Sequence, residues 1–78
     1  MPNYIVNTTK QYDKDDKLYY EVHQYPQSNC SSPNYPEPEN QLSLGRYADC
    51  HGALKKAEEL GYKVADGCYY CCNDCHSK

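Results

Sequence analysis

The sequence predicts an α+β domain: a small antiparallel sheet of three or four short strands with one helix packed across it, stapled by a metal or by disulfides. Three observations predict it. Two segments rich in Tyr, Val and Ile alternate with period two, one later segment carries helical spacing and caps, and six cysteines accompany a very thin apolar core. The core is thin because the 38 % hydrophobic content includes ten Tyr and six Cys, with no Phe or Trp. Leu, Ile, Val and Met together number ten. At 78 residues there is room for one domain, spanning 1–78, and for one site. Burial on that scale hardly offsets roughly 1.5 kcal/mol of ordering entropy per residue, so a staple is required.

Taken in order, residues 4–7 and 18–25 are the first two strands, with the polar Lys10 to Lys17 between them as a β-hairpin connection. The acidic run Asp13, Asp15, Asp16 is not a calcium loop. Leu18 stands where the turn glycine belongs and Gln24 where a bidentate glutamate is needed. Residues 26–41 hold four Pro and scattered Asn, Gln and Ser without apolar periodicity, which reads as a loop anchored by Cys30. Leu42 to Tyr47 alternates again and is a third strand. From Ala48 to Leu60 the spacing is helical, with Asp49 as N-cap and Gly61 in the C′ place. Cys50, Leu54, Ala57 and Leu60 define its inner face, on which Cys50 is expected to be a small buried hydrophobe. His51 is expected to be solvated. Tyr62 to Ala65 reads as a short strand, and Asp66-Gly67 as a turn into the cysteine cluster.

That cluster, Cys68-Tyr-Tyr-Cys71-Cys72-Asn-Asp-Cys75-His76, puts five soft ligands in nine residues. A C-x2-C pair aims two thiolates at one ion, and zinc needs two more ligands from elsewhere. Cys68 and Cys71 are the preferred pair, completed by His23 in the second strand and Cys30 in the loop. A local alternative replaces His23 with Cys75 or His76. Zinc held by His23, Cys30, Cys68 and Cys71 would tie hairpin, loop and C-terminus at one point. The chain opens without a basic n-region or apolar signal segment, so the expected compartment is the cytoplasm, where thiols stay reduced and a Cys cluster favours metal over disulfides. A disulfide framework fits if the chain is a mature fragment of an exported precursor.

The charge of −3 excludes the expected footprint of nucleic-acid binding. The first forty residues hold three Lys against six acidic residues, and the rest balance at five against five. No segment has the length of a membrane span. Thiol oxidoreductase chemistry wants its C-x2-C at a helix N-terminus, whereas here the helix precedes the cysteines. No nucleophile elbow or H-E-x-x-H motif occurs, so an enzyme is not expected. The expectation is a zinc-binding structural or interaction module acting as a monomer, with an unidentified protein as partner. The alternative is a thiol-redox or metal-handling protein that uses the surplus Cys72, Cys75 and His76.

Through Glu21-Val22-His23, Leu44-Gly45, the helix, and Gly67-Cys68-Tyr-Tyr-Cys71 to Cys75-His76, the chain resembles a small bacterial family of Cys-rich proteins with no established activity. More distantly, the order H, C, helix, G-Y and C-x2-C is similar to the metal-binding module of the DNA alkylation repair protein Ada. That resemblance implies zinc at His23, Cys30, Cys68 and Cys71. The chain departs from Ada in its longer H-x6-C spacing and in lacking a basic surface and a transferase domain, so the implication stops at zinc.

Overall fold

The computed structural model describes residues 1–77. It has a mixed sheet with one helix across one face and an extended loop across the other. The strands are β1 (Asn3–Asn7), β2 (Gln11–Tyr12), β3 (Leu18–Tyr25), β4 (Gln41–Arg46) and β5 (Ala65–Gly67), and the helix is α1 (Cys50–Glu59). Along the main path the order is β2-β3-β1-β4, all antiparallel, and β5 pairs with β3 in parallel.

β1 and β3 pair directly with Val6 opposite Val22 and Ile5 opposite His23, which sorts their side chains onto two faces. Tyr4, Val6 and Val22 join Leu44, Cys50, Ala53 and Ala57 in the core beneath the helix. Ile5 and His23 face the other way, toward the loop. The tight hairpin is β2 to β3, a two-residue strand that polar sequence hides. The Asp13 carboxylate holds its turn by accepting the Asp15 and Lys17 backbone N–H groups at 2.8 and 3.0 Å. Within residues 26–41 the loop contains two 3-10 turns, Gln27–Asn29 and Pro38–Asn40, before Gln41 enters β4.

The helix begins as its caps dictate. Asp49 accepts the His51 backbone N–H at 3.0 Å, and Gly61 takes φ +101° just past the end. The inner face is Cys50, Ala53 and Ala57, with Leu54 half-buried at its side and Leu60 exposed, so it is rotated from the expected Cys50, Leu54, Ala57, Leu60 stripe. The rotation follows from space, because a small residue at 53 lets the helix sit close on the sheet. Gly52 admits the Tyr47 ring in the same way, since a Cβ there would lie 2.8 Å from its Cδ1.

Two expectations after the helix need correction. Residues 62–64 are not a strand, for Val64 has φ +58° and the extended pairing starts at Ala65. Asp66-Gly67 is not a turn but part of β5, with Asp66 buried and its Oδ1 accepting from the Ser77 N–H and hydroxyl. Parallel pairing to the exposed edge of β3 supplied the backbone partners that the short sequence signal did not reveal. Among the described residues no helix is long and apolar enough to cross a membrane.

Candidate metal centre and disulfide

β3 presents its outer edge to three successive partners. Tyr20 N–H donates to Val64 O at 3.1 Å, Val22 O accepts from Cys68 N–H at 2.9 Å, and Gln24 N–H donates to Cys71 Sγ at 3.2 Å. The Cys68-to-Cys71 turn therefore continues the ladder of β5, with a sulfur taking the place of the next carbonyl. Gln24 Nε2 also donates to Cys71 O at 3.0 Å, which fixes the far side of the turn. Inside it, Cys72 N–H donates to Cys68 O at 2.8 Å, and Tyr70 N–H points at Cys68 Sγ from 3.4 Å.

This turn meets the loop at His23. One donor atom from each of His23, Cys30, Cys68 and Cys71 lies within 4.8 Å of all the others. Cys30 Sγ is 3.7 Å from His23 Nδ1 and 3.7 Å from Cys68 Sγ, and Cys71 Sγ is 3.9 Å from His23 Nδ1. Ligands about 2.1 to 2.3 Å from one ion at tetrahedral angles stand roughly 3.6 to 3.8 Å apart, which these separations match. The chemistry of the set also suits a thiophilic ion, with three sulfurs and one imidazole nitrogen. The residues present can hold a metal.

The supports around the imidazole agree with that use. His23 is fully buried, its Nδ1 faces the sulfurs, and Glu21 Oε1 lies 3.1 Å from Nε2, an ion-pair separation without the alignment of a full hydrogen bond. A carboxylate behind a ligating imidazole fixes its tautomer and orientation. Tyr35 closes the loop side, its ring 5.0 Å from that of His23 and its hydroxyl donating to Gln24 O at 2.8 Å.

Proton affinities in the metal-free centre are high. Burial works to lower the His23 pKa, but the neighbouring Cys71 and Glu21 side chains outweigh it and raise it from 6.5 to about 9. Burial pushes the Cys68 thiol up to about 11, and it is also the main cause that raises Cys30. The neighbouring Cys72 thiol, then burial, lifts Cys71 to about 12. At neutral pH the three thiols therefore keep their protons, and an entering cation must displace them.

The local alternative fails on placement. Cys75 is bonded to Cys50, and His76 Nδ1 lies 3.0 Å from Gly67 O and 3.3 Å from Asp66 Oδ2, engaged with the C-terminal segment. Cys50 is likewise not a simple buried hydrophobe but half of that disulfide. Metal and disulfide, weighed as alternatives from sequence, fit this fold together. Helical periodicity placed Cys50 inward without identifying what it would meet; the surplus of Cys72 and Cys75 beyond the four preferred ligands was the available signal. His51 is exposed, as expected.

Comparison with family models, with curated proteins and with solved structures finds no match, so the functional reading rests on the geometry of this chain.

Proposed function

We propose that the protein is a small zinc-binding structural or interaction module, with His23, Cys30, Cys68 and Cys71 as the ligands and no catalytic role. The observation that carries this reading is that four donors drawn from a strand, a loop and a C-terminal turn lie within 4.8 Å of one another, three of the pairs at 3.7 to 3.9 Å. A bound zinc would tie these segments where apolar burial is thin, which is the work of a structural site. The closed set of four protein ligands leaves no position for a substrate, and this separates it from a catalytic zinc. Tyr69 and Tyr70, more than half exposed on the turn that zinc would rigidify, are rings of the type that anchors protein interfaces. A monomer with a protein rather than nucleic acid or membrane as partner completes the reading, and in the cytoplasm expected from sequence the Cys50–Cys75 bond would be open to reduction.

The test is native mass spectrometry with elemental analysis of the full chain, followed by chelation. One zinc per chain in the disulfide-bonded protein, and cooperative loss of structure when it is removed, is the expected result. Unchanged circular dichroism after chelation, with no metal found, overturns the reading.

A further inference from the structure

On the helix side of the sheet, the disulfide joins a second set of ligand atoms. Cys50, His51 and Cys75 each offer a donor within 4.8 Å of the other two. Cys50 is the first residue of α1 and Cys75 ends the 3-10 turn Asn73–Cys75, both of them buried, with Cα atoms 6.3 Å apart. That separation suits a covalent bond and also allows two thiolates to reach one ion about 2.3 Å from each. We propose that Cys50, His51 and Cys75 form a second site for a thiophilic divalent cation of the zinc type, masked while the disulfide is closed and opened by reduction. It uses none of the ligands of the first centre and does not depend on it.

Three features equip these residues beyond closeness. The Cys50 thiol sits at the N-terminus of a ten-residue helix, where backbone dipoles favour a thiolate. Asp49 Oδ1 accepts the His51 backbone N–H and stands 3.5 Å from its Nδ1, so a carboxylate backs this imidazole as Glu21 backs His23. Access is open as well: His51 is exposed, and Cys50 lines a surface cleft of about 330 Å³ with Pro2, Tyr4, Asp49 and Cys72. Three protein ligands would leave a fourth position for water, which makes such a site exchangeable, unlike the closed set of four.

The chemistry balances with a dithiol as reductant. Two electrons and two protons pass from the dithiol to the Cys50–Cys75 bond, which breaks to two thiols while the dithiol closes to its own disulfide. The cation then displaces both thiol protons, forming two S–metal bonds and one N–metal bond, with water in the fourth place. A disulfide-class oxidant reverses this by taking two electrons from the thiolates, re-forming the bond and releasing the ion.

The experiment counts zinc by native mass spectrometry on the full chain, either disulfide-bonded or reduced with dithiothreitol and freed of it anaerobically. The expected result is one more zinc in the reduced chain than in the oxidised chain. The extra zinc is lost in the Cys50→Ser variant and bound at least tenfold more weakly in His51→Ala, a surface change that spares both cysteines and the core. Equal zinc counts before and after reduction overturn the proposal, as does an extra zinc whose affinity is unchanged in His51→Ala. If the oxidised chain binds none, the first centre fails, and the difference between the two redox states still decides the second.

Discussion

The His23 centre and the Cys50–Cys75 bond close the same chain from opposite faces of one sheet. Their point of contact is the vicinal pair Cys71 and Cys72. Cys71 Sγ reaches across the sheet edge to His23, Cys72 is buried in the core under the helix, and the two sulfurs are 4.0 Å apart. The first staple joins strand, loop and turn through donors that must shed protons before they can act. The second joins helix and turn through a bond that acts without a ligand. With zinc bound as proposed, a thin core is held on one face by coordination and on the other by covalency, and the two respond to different perturbations: chelator and acid for one, reductant for the other.

The largest effect should separate them. Cys68→Ser removes a ligand from a site whose zinc is worth on the order of 10 kcal/mol, so the variant should lose stoichiometric zinc and be unfolded at room temperature by circular dichroism. Cys50→Ala combined with Cys75→Ala should bind its first zinc normally and stay folded. It should melt roughly 15 to 25 °C lower, because the bond spans 25 residues and its closure entropy is about 3 to 4 kcal/mol. If the paired variant also loses zinc, the two staples are one cooperative unit and the contrast drawn between them fails.

Gly67 is the joint at which both can be strained together. A Cβ there would lie 2.5 Å from Cys72 O, 2.7 Å from Cys75 Cβ and 3.0 Å from Cys72 Cβ, and a backbone carbonyl cannot swing aside. Gly67→Ala should cost about 1 to 3 kcal/mol and slow disulfide formation on refolding, as read by thermal melts and thiol titration. A melting temperature equal to that of the unchanged chain would show that the turn accommodates the methyl and that the joint is loose.

Acidity should act on one staple alone. In the metal-free chain the His23 pKa is raised to about 9 from 6.5, so the folded state holds that proton more tightly than the unfolded chain. The contribution is complete below about pH 6.5 and is lost as pH climbs toward 9, and the raised Cys68 and Cys71 thiols extend the decline above pH 9. Zinc-loaded protein should show the opposite slope, weakening as pH falls, because protons compete for the ligands. Thermal midpoints of the zinc-loaded protein from pH 5 to 10 check the second slope, and for the first the chelated chain should show more residual structure by circular dichroism below about pH 6.5 than at pH 9. Removing Cys50 and Cys75 should shift each curve without tilting it.

The smallest effect concerns orientation. Glu21→Gln keeps the size of the side chain behind His23 and removes its charge, which should weaken zinc binding about tenfold in a chelator competition and leave the disulfide untouched. An unchanged affinity would mean that burial by Tyr35 and Ile5 alone orients the ring.

Legibility of the sequence followed the range of the signal. β1, β3 and β4, the N-cap at Asp49 and the C′ glycine at Gly61 were readable because each is written in adjacent residues. The grouping of His23, Cys30, Cys68 and Cys71 was readable because Cys30 in an otherwise unanchored loop and His23 in a strand stood out against their surroundings. β2 was hidden in polar sequence, and β5 was read as a turn, because Asp66-Gly67 gains its extended form only from pairing with Tyr20 to Val22. The Cys50–Cys75 bond was missed because a cysteine on an inner helix face satisfies the apolar pattern whether it is free or bonded. Pairing between distant cysteines is a property of the packed chain, which local periodicity does not encode.

The sulfur at the edge of β3 carries one more consequence, for self-association. An unpaired strand edge is a template for a second chain, and β3 contains the Tyr, Val and His sequence that such templates favour. Here the ladder ends on Cys71 Sγ instead of on solvent, so a foreign strand meets no free Gln24 donor. Compared in the same metal state, Cys71→Ala protein should therefore scatter more light on concentration than the unchanged chain, and equal scattering would show that the turn blocks the edge without its sulfur. The sulfur at this position acts as a gatekeeper: the side chain that ends the ladder also shields the β3 margin along which copies of the chain would stack.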